Sequence, residues 1–208
     1  MHRTPIRLWT GGILLLATVL AGCAARRAVS DGDEARKRGN LFAAATHYLD
    51  ALDEDADHEE ALKNLSEVAE PAYEEKLTLA RDQRRRNLDA ALQEYEALRT
   101  YLGRLRGHSA LDFTTVNVPE RIRAVNREIA KRHYNQAEAH FREGRYERAI
   151  GQYETALDHR EAYRDAVRQI AASYYRMATE AYHARRYRYA AETYLRALEE
   201  GGTYRDAR

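Results

Sequence analysis

The chain has 208 residues, with 34 Lys and Arg against 33 Asp and Glu and a formal charge of +1, so it lacks the basic excess of a nucleic-acid binder. A single cysteine, Cys23, excludes a disulfide framework. Fifteen tyrosines stand beside three phenylalanines, an unusual aromatic choice.

The N-terminus predicts an address. His2, Arg3 and Arg7 make a positive start, and Leu8 to Leu20 form an apolar run too short for a membrane span, which needs roughly 20 residues. The run ends in Leu20, Ala21, Gly22 and Cys23, which resembles the bacterial lipobox, with cleavage between Gly22 and Cys23 and lipid on Cys23. A lone thiol has no disulfide partner in an oxidising compartment, and lipidation accounts for it. Stable anchoring takes more than one acyl chain, as that chemistry supplies. Ala24 in place of an Asp implies outer-membrane sorting, facing the periplasm. Cleavage removes two of the 34 basic residues and no acidic one, leaving 32 against 33. Residues 23–33 read as a lipidated tether whose full extension reaches roughly 30 Å.

Further along, Gly107 to Val118 is rich in β-branched residues and predicts an extended connector, with a partner-binding flap as the less favoured role. Pro119 to Glu143 contains no further Pro and no Gly, and carries Ile122, Val125, Ile129, Tyr134, Ala137 and Phe141, which predicts a long helix ending at Gly144. Tyr146, Ala149, Ile150, Tyr153, Ala156 and Leu157 then mark one face of a second helix. The same long-then-short pattern recurs over Glu161 to Arg185 and Tyr187 to Glu200. GRYERAIGQYETAL from Gly144 and RRYRYAAETYLRAL from Arg185 are one unit written twice, 41 residues apart, and YRDA at Tyr163 returns at Tyr204. Such a period predicts an all-α solenoid of antiparallel helix hairpins.

These hairpins resemble tetratricopeptide repeats (TPR), whose second helix reads Gly-x-aromatic-x-x-Ala, then an aromatic four residues on, then Ala-Leu. Gly144, Tyr146, Ala149, Tyr153, Ala156 and Leu157 match throughout. Tyr187, Ala190, Tyr194, Ala197 and Leu198 match in the last hairpin, with Arg185 where glycine belongs. Ala137 and Ala178 supply the small residue of the first helix. An earlier copy starts at Gly39 with Leu41, Ala44, Tyr48, Ala51 and Leu52, and a degenerate one has Leu88, Ala91, Tyr95 and Leu98. The period exceeds that of the family, which implies lengthened first helices, and the closing proline is missing. The resemblance implies a right-handed superhelix. It also implies a concave groove lined by first-helix residues, here Lys131, Tyr134, Glu138, Phe141, Arg142, Tyr175, Thr179, Tyr182 and His183. The repeat tyrosines read as packing knobs with hydroxyls at the wet margin. The division is a signal at 1–22, the tether at 23–33, degenerate repeats at 34–106, the connector at 107–118 and repeats at 119–208 with an incomplete last unit.

Little in the chain suggests chemistry. Asp53, Asp55 and Asp57 alternate as in a calcium loop, but His58 and Asn64 stand where its glycine and glutamate belong, and a solvated acidic turn is expected. His133 and His140 are seven apart, where helical zinc pairs use four. Arg81 with Arg84, Arg85 and Arg86 reads as a solvated helix end, with an anionic-lipid contact as the alternative. No catalytic residue, metal, cofactor or small-molecule substrate is expected. The expected role is a lipid-anchored TPR adaptor in the bacterial cell envelope that binds a protein or peptide, without nucleic acid. Alternatives are the N-terminal scaffold of a larger envelope enzyme, or a self-assembling structural repeat.

Overall fold

The computed structural model describes residues 10–205 except Leu111, with side chains described only within 23–200. The expected signal therefore begins outside the described residues, at 1–9, and the side chains of the second YRDA echo also lie outside them. Among the described residues there are eight helices and no strand: α1 (Thr10–Lys37), α2 (Leu41–Glu54), α3 (Glu59–Arg86), α4 (Leu88–Gly107), α5 (Val118–Arg142), α6 (Tyr146–His159), α7 (Ala166–His183) and α8 (Tyr187–Arg205). The fold is all-α, built of helices paired with their sequence neighbours into antiparallel hairpins. It divides into two compact units, residues 1–119 and 120–208.

In the first unit α1 packs on α2, α2 on α3 and α3 on α4. The α3–α4 pair is antiparallel, since Lys76 meets Glu94 while the Tyr101 hydroxyl donates to the Ala69 carbonyl at 2.9 Å. Arg104 of α4 reaches back to α2 and donates to Asp50 and Asp53 at 2.8 and 2.7 Å. After Gly107, the described residues of 108–117 form neither helix nor strand. That connector is held to α3 at Tyr73, whose hydroxyl accepts from the Val116 amide at 2.8 Å and whose ring lies 5.5 Å from that of Phe113.

In the second unit one core of buried residues runs from Ala130 through Tyr134, Ala149, Tyr153 and Tyr163 to Ile170 and Met177. These come from α5, α6, the turn that follows and α7. Their spacing on each helix is the apolar stripe seen in the sequence, and burying it is what stabilises helices that would be marginal alone.

Two expectations change. Residues 23–33 do not form an extended tether: they continue α1, which is the first helix of the first hairpin. Ala25, Val29 and Ala35 are buried, and their small side chains on one face let α2 approach closely. The helix expected over Glu161 to Arg185 begins only at Ala166. Its predecessor stops because Arg160 is extended, and Ala162 and Arg164 take positive φ so that Tyr163 tucks into the core at 6% exposure. The lengthening expected of first helices is seen in α3 and α5, with 28 and 25 residues, whereas α7 has 18 and the additional residues form that turn.

Candidate functional site

Three hairpins close with the same turn. Gly39, Gly144 and Arg185 each sit at positive φ (77°, 75° and 58°). In each, the residue's amide bonds the carbonyl three back and the next amide bonds the carbonyl five back from itself, which satisfies the last open carbonyls of the helix. This fixed exit sets the register of the second helix against the first.

The register brings one tyrosine of the second helix onto one polar residue of the first, always fifteen positions earlier. Tyr48 donates its hydroxyl to Asp33 at 2.7 Å, Tyr153 donates to Glu138, and Tyr194 shares a hydrogen bond with Thr179 at 3.0 Å. Tyr48 and Tyr153 are fully buried, so their hydroxyls are satisfied inside the repeat and not left at a wet margin. Burial, with the Asp33 carboxylate beside it, pushes the Tyr48 hydroxyl up to about 12, and burial beside Glu138 raises Tyr153 as well. In the α3–α4 hairpin the residue fifteen before Tyr95 is Ala80, and the polar member of the pair is absent.

The 41-residue echo is also reproduced ring by ring. Tyr134 meets Tyr153 at 5.4 Å and Tyr175 meets Tyr194 at the same distance, while Phe141 meets Tyr146 and Tyr182 meets Tyr187 at 5.5 Å. What differs is the cover. Tyr134 lies under the α6–α7 turn: the Tyr163 ring is 5.7 Å away, the Arg164 guanidinium stands over the ring at 4.8 Å, and the hydroxyl donates to Asp165 at 2.5 Å. Asp165 also accepts from Arg168 and Gln169. Burial works against its charge, yet these hydrogen bonds outweigh it and hold the carboxyl at about 2. Tyr134 is 8% exposed, whereas its counterpart Tyr175 is 53% exposed.

Along the last hairpin the same contrast recurs, since Tyr182, Tyr187, Tyr189, Leu195 and Leu198 are all exposed. Of the nine residues mapped to a groove, Tyr134 thus belongs to the core, Phe141 packs against it, and Glu138 and Thr179 hold the hairpin tyrosines. Lys131 and Arg142 are exposed on α5, and Tyr175, Tyr182 and His183 are exposed on α7. Sequence reasoning did not single out Tyr189 and Leu195. Their signal was available, because Arg148 and Glu154 occupy the equivalent positions one period earlier and the change from charged to apolar marks the face.

Asp53 and His133 have structural partners. Asp53 receives Arg104 and His108; burial works to raise its pKa, and the hydrogen bonds from His108 and Arg104 bring it below the usual value. His133 is bonded through Nδ1 to Gln152 at 2.6 Å and stacks on His159, whose Nδ1 meets Asn126 at 2.9 Å. Arg84, Arg85 and Arg86 form the last turn of α3, where positive charge suits the helix dipole. Among the described residues no group of three or more His, Cys, Asp or Glu is placed to hold a metal. Cys23 is exposed on α1, and no helix among the described residues is long and apolar enough to cross a membrane.

No protein-family model and no curated protein matches the chain. One solved structure with a similar chain is titled a crystal structure of MamA protein. It is 18% identical, the match covering 88% of this chain and 94% of that one, and its TM-score of 0.26 is too low to transfer anything about function.

Proposed function

We propose that this protein is a lipid-anchored adaptor of the bacterial cell envelope, facing the periplasm from the outer membrane, and that the open face of its last hairpin holds a protein partner. The observation that carries the reading is the exposure of Tyr175, Tyr182, Tyr187, Leu195 and Leu198 on α7 and α8, where the preceding hairpin buries or half-buries the aromatic counterparts. Exposed apolar surface of this extent marks an interaction site, and tyrosine gives a partner large contact area at low conformational cost. Anchoring is supported by Leu20, Ala21, Gly22 and Cys23 in sequence and by the exposure of Cys23.

The test places photocrosslinking residues at Arg176 and His183, both exposed beside the tyrosines, in the full chain in its native membrane. A discrete protein adduct is expected, and Tyr175→Ala with Tyr182→Ala should abolish it while circular dichroism keeps the helical signal. An adduct that survives both substitutions would remove this face from the reading. Cys23→Ser should move the protein from the membrane to the soluble fraction; a variant that stays with the membrane would overturn the anchor.

A further inference from the structure

The α7–α8 turn differs from its counterparts in a way that packing does not require. At the residue in the left-handed region, Gly39 and Gly144 are replaced by Arg185, which carries a Cβ into a conformation that glycine adopts without strain. The turn tolerates that strain, and the position carries a guanidinium where the other two turns carry only a hydrogen atom. The neighbours change in the same sense. In the preceding turn, Glu143 and Glu147 offset Arg145 and Arg148, and Arg145 pairs with Glu143. One period later Glu143 becomes Ala184 and Glu147 becomes Arg188, so Arg185, Arg186 and Arg188 stand together.

Among the described residues neither Arg185 nor Arg186 has a carboxylate partner. Arg186 lies 5.3 Å over the ring of Tyr189, and Arg188, paired with Glu192 at 3.1 Å, keeps 94% of its side chain exposed. With Tyr187 these residues line one open depression, and Tyr182 stands exposed against Tyr187.

We infer that this turn docks an acidic segment of a protein partner, its carboxylates taken by Arg185 and Arg186 and an apolar side chain laid on Tyr182 and Tyr187. The inference rests on the adaptor reading and names the chemistry of the partner. Charge complementarity selects an acidic ligand, and guanidinium recognises carboxylate through a planar fork. A flat bilayer surface responds mainly to summed charge and offers no apolar side chain to lie on Tyr182 and Tyr187. A fixed, strained turn that presents them beside exposed tyrosines suits a ligand with a shape.

The test measures fluorescence anisotropy of a labelled octapeptide of alternating Asp-Glu pairs and Phe with the full chain, against its Asn-Gln counterpart. The acidic peptide should bind and the neutral one should not. R185G/R186Q, which restores the glycine of the other turns, should weaken binding at least about tenfold without lowering the thermal midpoint. R85Q/R86Q, which changes a basic run on α3, should leave binding unaltered. Equal binding of the two peptides, or equal loss in the two variants, overturns the inference. So does Arg185-dependent binding to phosphatidylglycerol vesicles without peptide binding, which would assign the turn to lipid. If the crosslinked adduct from His183 persists unchanged in R185G/R186Q, the adaptor reading stands and the acidic partner falls.

Discussion

Gly32 has no side chain because the ring of Tyr48 occupies that space. A Cβ built at Gly32 would lie 2.5 Å from Cε1 of Tyr48, and Tyr48 is fully buried, so the ring has nowhere to retreat. Gly32→Ala should therefore destabilise the first unit by ~1–3 kcal/mol, read as a lower urea midpoint with an unchanged slope. Asp165 acts on the second unit through its charge. With its carboxyl at about 2 against an ordinary 3.8, folding favours the ionised form. That stabilisation is complete above pH 3.8 and is lost as pH falls through about 2. Asp165→Asn should flatten the pH dependence of thermal unfolding across that window, and a variant that keeps the slope of the parent would refute the assignment.

Among the elements, the second helix α6 was legible because Gly-x-Tyr-x-x-Ala fixes both an exit and an apolar face. Gly144, Tyr146, Ala149 and Tyr153 all stand where that pattern places them in a hairpin. The first helix of the first hairpin was not legible. Its buried face is Ala25, Val29, Gly32 and Ala35, too small to register as an apolar stripe. Gly32 is nonetheless the counterpart of Ala137 and Ala178, as Asp33 is of Glu138 and Thr179. The turn before α7 was hidden for another reason: Arg160 to Asp165 contains no Gly or Pro, and burial of Tyr163, a tertiary effect, breaks the helix. The cover over Tyr134 was illegible for the same reason, since it depends on that turn. Ala162 is exposed there at φ 52°, so Ala162→Gly should stabilise by about 0.5–1 kcal/mol, measurable as a raised thermal midpoint.

For the molecule as a whole, residues 120–205 contain a core of their own, with Tyr134, Tyr153 and Tyr163 packed edge to face at its centre. Expressed alone, that segment should give a helical spectrum and a cooperative melt; a non-cooperative melt would contradict its standing as a unit. The course of α1 bears on the order of events in the life of the chain. Its backbone is helical without interruption from Thr10 past the bond between Gly22 and Cys23, and Ala25, two residues on, is already buried. A peptidase works on opened backbone, and opening this one competes with packing once α2 has docked. On the lipoprotein reading, maturation therefore becomes a race: cleavage and acylation must outpace closure of the first hairpin, and variants that slow that closure should be processed more completely.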